Sequence, residues 1–406
     1  MNYLLPLITI PYLVRVIGIE KYGLIGFAMA FNYLFIVVSN YGFHLSATHE
    51  VSVNRTNNSM LSELFCGVML LKSILMLSIF AILLLVVMLV PKLSNNYLLF
   101  CIMFLSVVGN VIFPRWYLLG LEQVNIIMAT SLAGKLITIL PIFYYVRSPS
   151  DYLMAAAFLS SSEVIAGICA LLIIANQNQI RLVIPSVNML RHLLYDGFYI
   201  FISQVAVTGV TGSNLFILGL FANPATIGSF ALAEKIIKSA TGLVGPISEA
   251  IYPRVGLLFH ESRDKALKFL RKVAVLGGSL FLFGCCCLFF GSNIIIFLIA
   301  GESIAQASLM LQIMAVIPLS VFLDNIYGTQ ILLNIDMKKA FMNIIIVSGI
   351  FSLTCGLIFI PLFQAYACAY VFLVSEVLIL LLMMFAVRWC GISPFTFVDN
   401  KNSLKK

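Results

Sequence analysis

Long apolar runs alternate with short polar links along the whole chain. A helix that crosses a bilayer needs ~20 largely apolar residues. By that measure the pattern predicts about twelve crossings, near 2–17, 23–48, 62–90, 96–119, 123–146, 151–175, 196–221, 225–253, 268–300, 304–334, 340–361 and 363–388. The links gather Gly, Pro, Asn and charge, as at Gly18–Tyr22, Pro91–Asn96, Asn223–Pro224 and Asp336–Lys339. None is long enough to fold as a soluble domain. The runs are continuous rather than alternating at every second residue, which excludes an outer-membrane barrel. The first segment is short, because sixteen residues rise only ~24 Å against a hydrocarbon core of ~30 Å. It holds Pro6 and Pro11 and lacks a basic n-region and a small-residue cleavage site. It therefore reads as a kinked first crossing, not a cleaved signal peptide.

Composition sharpens this into a fold class. The 406 residues are 62% hydrophobic and 10% charged, with a mean hydropathy of +1.08, whereas soluble domains are about 25% charged. The expectation is an all-α integral membrane protein, and no disordered tail, coiled coil or disulfide scaffold fits. The nine cysteines, including the run Cys285-Cys286-Cys287, lack metal-ligand spacing and read as small apolar packing residues.

The net charge of +8 becomes informative once each cation is placed. An even number of crossings puts both termini on one side. Of the 24 Lys and Arg, sixteen fall on the side of the termini, four on the opposite side and four inside crossings. The positive-inside rule then makes the termini cytoplasmic. Most of the surplus is thus a topology signal rather than a nucleic-acid patch. The basic stretch 254–272 reads as an amphipathic extension on the inner leaflet.

Two echoes divide the chain near residue 190. Ile25-Gly26-Phe27-Ala28-Met29-Ala30 resembles Ile227-Gly228-Ser229-Phe230-Ala231-Leu232-Ala233, and Ser162-Glu163-Val164 recurs as Ser375-Glu376-Val377. The expected organisation is an N-terminal lobe, 1–190, and a C-terminal lobe, 191–406. Each is a bundle of six helices, related by a parallel repeat around a central cavity.

Charges inside the crossings carry the functional reading. An ionised side chain at mid-bilayer costs ~2.5–3.5 kcal/mol on insertion scales. Lys72, Lys135, Lys235 and Lys238 therefore face a wet cavity or a partner. Arg15, at the outer end of the first crossing, serves the cavity rim or anchors at the interface. Glu234 and Lys238 are four apart in the favoured order for a helical ion pair. Glu249 lies about three turns further on and is expected on nearly the same face. Glu163, Asp324 and Glu376 are lone acids on apolar helices, suited to ion coupling or to structural pairing. A cavity with more cations than acids suits an anionic substrate such as a lipid diphosphate.

Soluble catalytic motifs are lacking. The chain has no Walker A sequence, no GxSxG and no HExxH. His44 and His49 are five apart, about 140° around a helix, a poor geometry for a shared metal. His192 and His260 read as surface residues. No cofactor and no metal are expected, and the chain is not expected to be an enzyme.

Specific motifs add a family. The run Pro6-Leu7-Ile8-Thr9-Ile10-Pro11-Tyr12-Leu13-Val14-Arg15-Val16-Ile17-Gly18, followed by Glu20, Tyr22-Gly23 and Phe27-Ala28, resembles the start of Wzx-type O-antigen flippases. These belong to the polysaccharide-transport branch of the multidrug/oligosaccharidyl-lipid/polysaccharide exporter superfamily. The likeness continues in Gly42-Phe43, Asn54-Arg55, Trp116-Tyr117, Gly120-Leu121-Glu122, Ala233-Glu234-Lys235, Gly245-Pro246, Gln330 and Met337-Lys338-Lys339. Family members usually carry a longer stretch before the position of Asn2-Tyr3. The resemblance implies a two-lobe fold of twelve helices in the bacterial inner membrane. It implies translocation of undecaprenyl-diphosphate-linked repeat units from the inner to the outer leaflet. The implied partners are the lipid-linked oligosaccharide, the membrane, and the polymerase and chain-length regulator of the same pathway. Two other functions fit an apolar chain of this kind. One is a cation-coupled multidrug exporter of the same superfamily, which should show acids rather than lysines in its cleft. The other is a membrane polysaccharide polymerase or ligase, which typically carries a large outer loop.

Overall fold

Helices follow the apolar runs closely. The computed structural model describes residues 4–177 and 180–391, and within them the regular structure is entirely helical. In chain order the principal helices are α1 (Leu4–Asn40), α2 (Phe43–Val53), α3 (Asn58–Leu89), α4 (Tyr97–Gly120), α5 (Val124–Tyr145), α6 (Tyr152–Asn176) and α7 (Val187–Thr211). They continue as α8 (Ser213–Phe221), α9 (Pro224–Thr241), α10 (Val244–Glu261), α11 (Arg263–Phe290), α12 (Ser292–Ala300), α13 (Ala305–Leu332) and α14 (Lys338–Trp389).

Among the described residues, eight helical stretches are long and apolar enough to cross a membrane. Two of them, Ile8–Val53 and Lys338–Trp389, run for 46 and 52 residues. At 1.5 Å per residue, 52 helical residues would extend ~78 Å, more than twice the hydrocarbon thickness. Each is broken where the length demands it. The backbone leaves helical geometry at Gly18 (φ 80°, ψ 160°) and at Gln364 (φ 50°, ψ −128°). Glycine suits the first of these, since a positive φ carries no side-chain clash there. The surfaces of these helices are apolar, with Met88, Phe290 and Trp389 all about four-fifths exposed, as acyl chains rather than water require.

The chain forms two compact units, Tyr12–Gly228 and Ser229 onward, the latter joined by the residues up to Pro11. In the first unit, α2, α3 and α4 share a buried core of Phe43, Ala47, Val51, Leu64, Phe65, Trp116 and Tyr117. Helix α6 is clasped between α4 and α5 by glycines. A β-carbon on Gly109 would lie 2.5 Å from the Val164 nitrogen, and one on Gly134 would overlap the Ser162 carbonyl. In lipid, such close backbone approach is a main source of helix association. Both contacts flank Glu163, so the glycines fix the height and rotation of that residue.

In the second unit, Val255, Leu270, Tyr327, Ile331, Leu332 and Met383 form a core among α10, α11, α13 and α14. The stretch Ile326–Leu332 within α13 winds as a π-helix, a form often found at functional sites. It buries Gln330, whose amide donates to the Ser248 carbonyl and hydroxyl at 3.2 and 2.9 Å.

Candidate functional site

Each unit carries one group of intramembrane charges. In the first unit it is built on a helix break. Pro114 has no N–H, so the carbonyl of Asn110, four residues earlier, loses its helical donor. The Lys72 ammonium replaces it, donating to that carbonyl at 2.9 Å, and Lys72 is almost fully buried on α3. The next residue after the break, Arg115, turns its guanidinium onto Glu163 of α6 with Nη2–Oε1 at 2.8 Å. It also lies over the Phe113 ring at 4.6 Å. Lys135 of α5 is half-buried and within electrostatic reach of Glu163 and Arg115. Lys72 is within reach of the same two groups. Three cations thus lie within electrostatic reach of one carboxylate.

The group keeps spare acceptors. Glu163 Oε2 and Asn110 Oδ1 are buried and make no hydrogen bond among the described residues. Arg115 is 45% exposed and Glu163 32% exposed at the side chain. The pair is therefore exposed at the protein surface, while Lys72 is not. Such an arrangement can accept an anion at Arg115 and Lys135 while Glu163 is released or exchanged. Arg115 was not among the candidate site residues and is the one that sequence reasoning missed. The proline four residues after Asn110 was the available signal, because it leaves a carbonyl within an apolar helix needing a donor.

In the second unit, the Lys238 ammonium meets Glu234 Oε1 at 2.8 Å across one turn of α9. Glu234 is buried and Lys238 exposed. Glu376 of α14 is within electrostatic reach of Lys238, and Asp324 of α13 within reach of Glu376. Lys235 is half-buried on the same helix. Glu249 does not join this stripe. Pro246 cannot donate to the Gly242 carbonyl, the helix is interrupted at Gly242–Leu243, and Glu249 is exposed on α10. The register counted from Lys238 therefore does not carry through. Arg15 is exposed on α1 in the first unit.

Outside the crossings, Arg55 after α2 bonds Glu122 after α4 at 2.8 Å. The hydrogen bond from Arg55, backed by its charge, holds the Glu122 carboxyl below the usual carboxylate range.

Residues 1–259 match the family described as polysaccharide biosynthesis protein. The chain belongs to this family. Two relatives carry the name "Putative O-antigen transporter". The one from Escherichia coli (strain K12) is 32% identical over 391 residues, covering 95% of this chain and 93% of the relative. The one from Shigella dysenteriae is 24% identical over 390 residues, covering 95% and 96%. Among solved structures, an inward-facing MATE family multidrug transporter of the MOP superfamily aligns with a TM-score of 0.73 at 13% identity, covering 95% of this chain and 94% of its own. The lipid II flippase MurJ in an inward closed conformation aligns with a TM-score of 0.74 at 13% identity, covering 95% and 86%. At that identity the likeness shows the fold alone. This member of the family is an all-α, multi-pass membrane protein of the Wzx type. Its named relatives are transporters, and the aligned solved structures are a transporter and a flippase, not enzymes.

Proposed function

We propose that this protein flips undecaprenyl-diphosphate-linked repeat units of O-antigen, or of a related surface polysaccharide, from the inner to the outer leaflet of the bacterial inner membrane. The observation that carries the reading is the cluster of Lys72, Arg115 and Lys135 around Glu163. A diphosphate presents several charged oxygens, and Arg binds such groups through two parallel N–H bonds. The incoming diphosphate competes with Glu163 for Arg115, and Lys135 adds charge beside it. Arg15, Lys235 and Lys238 are further substrate contacts in this reading. Glu163, Glu234, Asp324 and Glu376 serve ion coupling or hold the cations in place. The proposal includes twelve crossings in two lobes, 1–190 and 191–406, alternating access, and both termini in the cytoplasm. The broken pairs α7–α8 and α9–α10 then count as interrupted crossings. The polymerase and chain-length regulator of the pathway are the proposed partners downstream.

Gene deletion followed by lipid extraction tests the function. Single repeat units on undecaprenyl diphosphate should accumulate facing the cytoplasm, and the wild-type gene should restore long surface chains. Long chains that persist without a redundant flippase overturn the reading. The acids Asp324 and Glu376 favour one rival, a cation-coupled drug exporter. Resistance to cationic dyes on expression, with no effect on surface polysaccharide, would establish that rival.

A further inference from the structure

A second cluster of ligating side chains lies outside the charged group of the first unit. Glu50 projects from α2, and His192 and Asp196 from α7. His192 Nε2 is 3.2 Å from Asp196 Oδ2 and 3.7 Å from Glu50 Oε1. One donor atom from each of the three lies within 4.8 Å of the other two. We infer that Glu50, His192 and Asp196 bind one divalent transition-metal ion of the zinc class.

Geometry supports this first. Tetrahedral zinc holds N and O ligands at ~2.0–2.1 Å, which spaces neighbouring donors about 3.3–3.4 Å apart. The two distances from the imidazole nitrogen lie on either side of that spacing, and the two carboxylates, within 4.8 Å of each other, would close on the ion by rotamer change. Charge supports it next, since two carboxylates and a neutral imidazole carry −2 and match a dication. The imidazole selects zinc-class ions over magnesium or calcium, which prefer all-oxygen sites. Side-chain exposures of 23% for Glu50, 34% for Asp196 and 49% for His192 leave an entry path and room for a water as fourth ligand.

The scaffold is also set in advance. A β-carbon on Gly42 would lie 2.6 Å from the Gly197 carbonyl, and the Tyr41 and Phe201 rings stack at 5.0 Å. Val51, beside Glu50, and Leu193, beside His192, sit together in the buried core. The two helices are thus locked by packing, and the ligands stand on their shared edge. A bound ion would fasten α2 to α7. Sequence spacing did not reveal the site because its ligands come from two helices far apart in the chain.

The test uses the full chain, purified in detergent with an affinity tag free of histidine. Zinc is titrated in competition with a chromophoric chelator. The wild type should bind one equivalent more than His192→Ala, and Glu50→Gln and Asp196→Asn should each weaken that site at least about tenfold. Zinc should raise the melting temperature of the wild type and not of the variants. Cobalt loaded at the same site should give a nitrogen and oxygen spectrum with no thiolate band. Equal binding by wild type and Glu50→Gln overturns the inference, even if His192→Ala fails to fold. A thiolate band lost with a cysteine rather than with His192 also overturns it.

Discussion

The two units place their ion pairs in opposite ways. In the first, Arg115 and Glu163 stand on different helices, α4 and α6, locked against each other by glycines. In the second, Glu234 and Lys238 share one turn of α9. A pair between helices changes when one helix moves or when a competing anion arrives. A pair within a helix travels with that helix and keeps its own spacing through such movement. The comparison teaches that the first arrangement ties the ion pair itself to helix packing, while the second does so only through neighbours such as Glu376 of α14.

Five tests sharpen or break that contrast, the most severe first. Gly109→Leu drives a side chain into the α6 backbone and should abolish folded protein in a membrane fraction. Gly328→Ala in the second unit meets only the movable ends of Phe341 and Met383 and should be expressed near the wild-type level. If both accumulate equally, the rigid clasp is not what sets the first unit apart.

Arg115→Ala should lower surface polysaccharide at least tenfold and destabilise the protein by about 1–2 kcal/mol after discounting for exposure. Exchanging the pair, Arg115→Glu with Glu163→Arg, should restore protein level without restoring export. Export recovered by the exchange would reduce the pair to a strut. Lys72→Met leaves the Asn110 carbonyl unsatisfied, a cost of about 1–3 kcal/mol. Adding Pro114→Ala returns a backbone donor and should recover thermal stability, while export stays lost. Recovery of both would leave Lys72 with a structural duty only.

Glu234→Gln should cost about 0.5 kcal/mol, as for other pairs within one helix, measured by denaturation in detergent. A loss several times larger would show that this pair also binds across helices. The smallest effect concerns the exposed link between Arg55 and Glu122. Its carboxyl is depressed in the folded state, so the added stability is present above the ordinary carboxylate pKa. It fades as pH falls through the lowered value. A melting temperature of Glu122→Gln that differs from wild type at neutral pH and converges with it at acid pH is expected.

Much of the architecture was legible in the chain because lipid imposes length and apolarity on every crossing. The links at Gly18 and near Gln364, the buried Lys72 and the Glu234–Lys238 pair were all readable from local spacing. Contacts between distant segments were not. Glu163 gave no sign of its partner, since Arg115 lies 48 residues away on another helix. Glu249 was misplaced because the counting assumed an unbroken helix, and Pro246 ends that assumption. His192 is a surface residue as read; Asp196 stands one turn away on the same helix, and only Glu50 becomes its neighbour on folding.

The substitution of a lysine amine for a backbone donor at Asn110 has a mechanical consequence. A peptide N–H is rigidly placed, so a helix that bends there ordinarily exposes a bare carbonyl to hydrocarbon. A four-carbon arm swings. Were helix α4 to bend at Phe113–Pro114, the Lys72 arm could keep its bond to the Asn110 carbonyl. Such a bend would leave no bare carbonyl at Asn110.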